Sequence, residues 1–354
     1  MRKVQSSIIF ILHELFFLRH DLLMSRALIQ VQVSLARRSP SVDREYLLYP
    51  DRYLPEVLGV VPRVDGGGFV RCVAESWLHM HQRDAIRRGT DVPRRPDVSD
   101  WDGVSPIPNT FAIQGGHKWG KSYEVAALLA WVVHVSPRLV GCVYAPKIDQ
   151  ARLITWRYVD RFIAAGGARL ARVRDARAGG ERPTLSFSSS RLVVTQSTDA
   201  GVKVQGGHES IGIHVFEEAE GIDDPEIFDA VRGLVSDGIA LWFLCANPAS
   251  GTSPFARLSG DCVRRYSLSC LDHPNVLTGG VVVLGAVTRT WVDAQLSGQS
   301  AWAVRVDGPD PDRSSFELSW RPGEHWIPRP PWWWRVWGVV PPTTAADAAV
   351  SPAL

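Results

Sequence analysis

Eight residues constrain this chain more than any others. Gly115-Gly116-His117-Lys118-Trp119-Gly120-Lys121-Ser122 fits GxxxxGK[ST] at every fixed position. The apolar run Phe111–Gln114 reads as a strand leading into it, and the residues from Ser122 onward have helical spacing. Glycines at these positions let the backbone wrap so that consecutive N–H groups point inward as an anion nest. The helix that follows adds positive potential at the same place. In such a loop the lysine, here Lys121, reaches the β- and γ-phosphates of a nucleotide, and Ser122 offers its hydroxyl to Mg²⁺. The whole stretch, Gly115, Gly116, His117, Lys118, Trp119, Gly120, Lys121 and Ser122, is therefore the predicted ATP-binding set, with ATP and Mg²⁺ as cofactors.

From Thr110 onward, short apolar runs alternate with longer segments of helical period, the texture of a βαβ array. The predicted strands are Phe111–Gln114, Leu139–Tyr144, Ile211–Phe216 and Ala240–Cys245. Helices are predicted over Lys121–His134, Asp149–Ala165 and Pro225–Leu234, and a hairpin over Leu185–Phe187 and Arg191–Thr195. With the phosphate loop, this gives the expected fold class: α/β, a P-loop NTPase with a mostly parallel central sheet flanked by helices, RecA/ASCE-like. The preceding stretch 36–110 is broken by Gly66-Gly67-Gly68 and Pro93-Arg94-Arg95-Pro96, with helical spacing between them from Val73 to Ile86.

Composition adds limits. The net charge of +2 neither demands nor excludes a nucleic-acid partner, so that question turns on where the basic residues sit. The five cysteines show no CxxC spacing and read as reduced, structural thiols. Near the start, the apolar run Ile8–Leu12 is followed by His13, Glu14, Arg19, His20 and Asp21. It reads as an amphipathic helix, or as a non-native extension if translation starts at Met24, and no run reaches the ~20 apolar residues of a membrane span.

The strand Ile211–Phe216 runs into Glu217-Glu218-Ala219-Glu220. Adjacent strand residues face opposite sides, so Glu217 is assigned to the metal and Glu218 to the attacking water. Alone, the cluster reads equally as a solvated acidic turn opening a helix. The strand Leu241–Cys245 ends in Asn247-Pro248, where a polar side chain is placed to sense the γ-phosphate; a plain strand-to-turn Asn-Pro is the other reading.

Taken in order, GGHKWGKS, VYAPKIDQARLITW, VFEEAEGI and LCANPASGTSPF resemble the ATPase domain of phage terminase large subunits. YPDRYLPEVLGV near residue 50, LDHPNV at 271–276 and RVDGPDPDRS near 305–314 extend the resemblance over residues 45–315. It implies that Lys121 and Ser122 bind ATP-Mg²⁺, that Glu217 and Glu218 are the acidic pair, and that Asn247 couples hydrolysis to movement. It also implies that Lys118 is the basic residue inside the loop, and it makes Gln82 the nearest match to an adenine-contacting glutamine. The implied partners are double-stranded DNA, a portal protein, a small terminase subunit and further copies of the chain. The implied setting is the cytoplasm of a bacterial host and the procapsid portal, with no membrane.

Two departures from the family stand out. Glu217 occupies the place of an aspartate, which moves its carboxylate by about a bond length against strict Mg²⁺ geometry. Asp310, Asp312 and Glu317 lie in irregular sequence and nothing after Trp320 offers a strand with carboxylates, so no nuclease activity is expected. The expected organisation is an extension over 1–44, an ATPase domain over 45–315 and an irregular tail over 316–354. That tail holds six of the fourteen tryptophans between Trp320 and Trp337, either a base-stacking surface or a poorly folded, non-native end. Nine basic residues from Lys147 to Arg182 suit either DNA phosphates or a solvated surface. The expected activity is ATP hydrolysis driving DNA packaging. The alternatives are a helicase-like motor in repair or defence, or a degenerate remnant that binds nucleotide without turnover.

Overall fold

The computed structural model describes residues 46–170, 183–188, 190–198, 211–234, 239–261 and 264–341. Its centre is a seven-stranded sheet made of β1 (Thr110–Gly115), β2 (Leu139–Ala145), β3 (Thr184–Ser188), β4 (Arg191–Ser197), β5 (Ile211–Phe216), β6 (Ile239–Ala246) and β7 (Arg264–Leu268). The strand order is β3-β4-β2-β5-β6-β1-β7. All neighbours are parallel except β3, which turns back antiparallel along β4. This is the α/β, RecA/ASCE-like arrangement, with one strand, β6, standing between the phosphate-loop strand and the acidic strand.

Burial follows position. β5 and β6 are buried along their whole length, as near-continuous apolar runs in the middle of a parallel sheet must be. β4 alternates buried and half-buried residues toward the rim. β7 was not predicted. Its sequence, Arg-Arg-Tyr-Ser-Leu, lacks an apolar run because it is an edge strand, with Arg264 and Arg265 exposed along it.

Register brings the functional loops together. Gln114 of β1 pairs with Ala246 of β6, and Phe216 of β5 pairs with Leu244 of β6. The residues just past each strand therefore emerge at one edge, the C-terminal edge where parallel sheets bind ligands. Helix Lys121–Val135 runs back from that edge and is buried at every residue but Ser122. Tyr53, whose hydroxyl lies 2.8 Å from His134 Nδ1, and the main chain at Tyr46, which accepts Trp131 Nε1 at 3.0 Å, cover it from the other side.

The predicted helix Asp149–Ala165 is present, as α-helix Ile148–Ala151, a π segment Arg152–Trp156 and α-helix Arg157–Ala165. π segments are rare and tend to re-aim side chains at functional sites. Arg157 and Arg161 are both exposed on the last of these, whereas Arg172, Arg174, Arg177 and Arg182 lie outside the described residues, as does the predicted extension over 1–44. Among the described residues, Cys72, Cys142, Cys245 and Cys270 are free thiols, and no helix is long and apolar enough to cross a membrane.

The tail differs from expectation. Residues 316–341 hold regular elements: β9 (Phe316–Glu317) and β10 (His325–Pro328) form a three-stranded sheet with β8 (Ala303–Val306), in the order β8-β10-β9. A helical turn Pro330–Trp332 and a π turn Trp333–Trp337 follow. Tryptophan density here reflects packing: Trp332 and Val336 are fully buried, and Phe316, Trp332, Trp333 and Trp337 form a ring cluster.

Candidate nucleotide site

The phosphate loop leaves β1 in a tight channel. A side chain at Gly116 would overlap Cys270 Sγ and come within 2.7 Å of Val336 O and 2.8 Å of Arg335 O, so only glycine fits. Lys118 takes the left-handed conformation at φ 58°, and the helix starts at Lys121. A non-glycine residue held there is strained, as residues at ligand sites tend to be.

Lys121 is folded back over its own loop. Its Nζ donates to Gly115 O at 3.0 Å, Gly116 O at 3.2 Å and Asn247 Oδ1 at 3.1 Å, using all three ammonium protons. Burial pushes its pKa down, opposed by the carboxylates of Glu218 and Glu217.

Glu217 and Ser122 meet across the sheet: Ser122 Oγ donates to Glu217 Oε2 at 3.0 Å. The other carboxylate oxygen, Oε1, accepts from Thr155 Oγ1 at 2.6 Å. The side chain is buried, which pushes its pKa up to about 7; Glu218's charge adds to the rise, while the hydroxyls of Thr155 and Ser122 and the charge of Lys121 oppose it. The longer glutamate thus reaches the serine, and Thr155 holds it there from the π segment. Mg²⁺ is typically bound by one or two protein oxygens plus substrate phosphates and waters, and Ser122 with Glu217 supplies such a pair. Among the described residues there is no cluster of three or more His, Cys, Asp or Glu side chains of the kind an all-protein metal cage requires.

Glu218, the next residue, is half-buried and left-handed at φ 50° and ψ 44°. A non-glycine residue in that conformation is uncommon, as at Lys118. Glu220 accepts from Ser250 N at 2.6 Å and Ser253 Oγ at 3.0 Å, tying the acidic loop to the loop after Asn247. Asn247 faces two ways: its Oδ1 holds Lys121, and its Nδ2 lies 3.5 Å from Trp334 O.

The remaining predicted residues sort clearly. Trp119 is buried, donating Nε1 to Ser269 O at 2.7 Å and packing edge-on against His273, a structural anchor for the loop. Lys118 is exposed, its Nζ 5.9 Å from the Trp291 ring centroid. His117 is half-buried between Trp291 and Trp334, and burial, reinforced by Lys121, Arg335 and Lys118, pushes its pKa down to about 4. Gln82 does not join this group. Its amide donates to Pro93 O and Asp100 Oδ1 and accepts from Trp101 N, so every polar atom is committed to the 93–101 segment. Arg63 instead approaches the loop at Gly120, where an added Cβ would stand 2.9 Å from its Cδ; its guanidinium lies 3.7 Å from the Tyr123 ring and its backbone N–H donates to Glu124 Oε2 at 2.7 Å.

Sequence reading missed Thr155, Arg63 and the residues around Arg335. Only the first lay inside a motif used above, ARLITW.

The solved structures this chain resembles are phage large terminases. The large terminase ATPase domain of Thermus phage P74-26 is 18% identical, with 41% of this chain and 62% of that one covered and a TM-score of 0.32. The large terminase of a second thermophilic bacteriophage, in complex with ADP, is 15% identical over 60% of this chain and 54% of its own, at 0.40. That of bacteriophage HK97 is 12% identical over 67% and 57%, also at 0.40. No family model and no curated protein matches.

Proposed function

We propose that this chain is an ATP-hydrolysing motor domain that drives double-stranded DNA, the ATPase portion of a terminase large subunit. The observation that carries the reading is the meeting of Ser122 and Glu217 at 3.0 Å, 95 positions apart in sequence, beside a lysine already engaged by Asn247. A serine hydroxyl, a buried carboxylate and a loop lysine in one cleft match what ATP-Mg²⁺ requires.

In this reading the incoming triphosphate replaces the carbonyls that Lys121 now holds, and Lys121 moves onto the β- and γ-phosphates. Ser122 and Glu217 would hold Mg²⁺, which neutralises charge on the phosphates. Glu218 orients the attacking water and takes its proton. Asn247, relieved of Lys121, passes the change to the Ala249–Phe255 loop, which Glu220 ties to the acidic loop. Most of the rate comes from positioning and charge neutralisation. The partners follow from the same reading: the DNA, a portal ring, a small terminase subunit and copies of the chain.

ATP turnover by the purified chain, with and without duplex DNA, tests this beside Lys121→Ala and Glu218→Gln. DNA-stimulated turnover lost in both variants supports a motor. Nucleotide binding without turnover under every condition would instead make the chain a remnant.

A further inference from the structure

Two arginines in this fold are held by pairs of carboxylates. Arg95 sits between Asp51 and Asp97, and Arg321 between Asp293 and Glu324. Arg335 is treated differently. Among the described residues it pairs with no carboxylate, and its Nε is buried without a hydrogen-bond partner. Two aromatic rings hold it instead, with its Cζ 4.9 Å from the Trp302 centroid and 4.3 Å from that of Trp334. Ring faces fix a guanidinium's position while leaving its in-plane donors available for another ligand.

The backbone of Arg335 lies against the phosphate loop, and the rings that hold its guanidinium continue to His117 in that loop. Arg335 O accepts from His117 N at 2.8 Å and lies 3.6 Å from Cys270 Sγ. The preceding carbonyl, Trp334 O, faces Asn247 Nδ2. Ring contacts then close a circuit: Trp334 to His117 at 5.7 Å, His117 to Trp291 at 6.3 Å, and Trp291 to Trp302 at 5.6 Å. Lys118 stands over the same Trp291 ring. Arg335, half-buried and without an acid partner among the described residues, and the exposed Lys118 therefore flank His117 beside Lys121, and a half-buried guanidinium without a counter-charge calls for an anion.

We propose that Arg335 contacts the γ-phosphate of the nucleotide in this loop, supplied in cis by the C-terminal segment. The proposal rests on the reading of the site as an ATP site. A guanidinium fork matches phosphate oxygens two at a time, and the carbonyl just before Arg335 meets Asn247, the strand-end residue assigned to the γ-phosphate, so its contribution belongs to the third phosphate.

The test is binding by the full chain, with Mg²⁺, of a fluorescent non-hydrolysable ATP analogue and of fluorescent ADP. Wild type is compared with Lys121→Ala, Arg335→Gln and Arg335→Lys. Arg335→Gln keeps part of the stem against the rings, and its melting temperature checks that the segment stays folded. The expected result is a loss of about 10–100-fold in affinity for the analogue with ADP unchanged, and partial recovery in Arg335→Lys. Equal losses for both nucleotides, or none, in a folded Arg335→Gln overturn the proposal while the ATP site stands. Loss of duplex DNA affinity with unchanged nucleotide binding also overturns it and assigns Arg335 to DNA phosphates. If wild type binds neither nucleotide, the ATP site itself fails, and Arg335's role with it.

Discussion

Gly338→Ala tests whether the C-terminal segment is seated on the phosphate loop as closely as the structure has it. Gly338 is left-handed at φ +70°, and an added Cβ would stand 2.5 Å from Gly115 Cα and 2.6 Å from Gly116 N. The backbone conformation costs an alanine about 1–2 kcal/mol. The overlap falls on backbone with no rotamer to yield, so the two segments must part by about 1 Å, an overpacking cost of about 1–3 kcal/mol. Together these come to about 2–5 kcal/mol. Full release would expose Trp332, Trp333 and Val336, buried to 0%, 5% and 0% exposure, at about 1.5–3 kcal/mol each. The cheaper response is a displaced segment, not a detached one. Thermal unfolding should shift down by roughly 3–8 °C. Amide exchange should rise at His117, whose N–H now donates to Arg335 O, while the strand amides of β5 and β6 keep their protection. An unchanged melting temperature together with unchanged exchange at His117 would mean that the segment does not rest on Gly115 and Gly116, and would leave Arg335 without its place beside the loop.

Three further outcomes are expected. Thr155→Val should raise the Mg²⁺ concentration needed for nucleotide binding by about tenfold, because the valine leaves Glu217 Oε1 without its donor; Thr155→Ser should behave as wild type, and a valine variant that matches the serine variant would remove Thr155 from the site. Glu217, with a folded pKa near 7 against 4.5 unfolded, contributes stability that is fully present below pH 4.5 and lost as pH rises through 7. In nucleotide-free protein, Glu217→Gln should therefore gain on the order of 3 kcal/mol over wild type between pH 4 and pH 8, measured by urea unfolding, and a gap that narrows with rising pH would contradict the assignment. Gln82→Ala should cost about 2–3 kcal/mol of stability by stranding Trp101 N and its acceptors, with adenine-over-guanine preference unchanged; a lost preference at wild-type stability would return Gln82 to the site.

The legible part of this chain was the part governed by local rules. The loop between β1 and the helix at Lys121 was readable because its glycine spacing is dictated by the backbone turn from strand into helix, and β5 and β6 because buried parallel strands are apolar throughout. Glu217, Glu218 and Asn247 were readable as strand-end polar residues next to those strands. What escaped depended on distant packing. β7 carries two arginines because it is an edge, so it presents no apolar period. Thr155 is an ordinary helical threonine until a π segment turns it onto Glu217. Gln82 looked available because its three partners lie 11 to 19 residues away, in a segment without regular structure. The tryptophans from Trp320 to Trp337 looked like disorder in a proline-rich stretch, because the fold closes them around one another and around Arg335 only once the sheet is formed.

The position of β6 also sets a length scale. It separates β1 from β5 by a single strand, so the loop holding Lys121 and the turn holding Glu218 stand two strand spacings apart, about 10 Å. Ser122 and Glu217 bridge that backbone separation with side chains 3.0 Å apart, and on the proposed reading the separation works as a gauge for the chain of phosphates. On that reading, a nucleotide anchored at the helix start has to extend its phosphates along the strand ends before they come under Glu218. The gauge is cut into the order of the strands, not into any side chain, so substitutions along the cleft can weaken binding or chemistry without changing the length of ligand that the cleft measures.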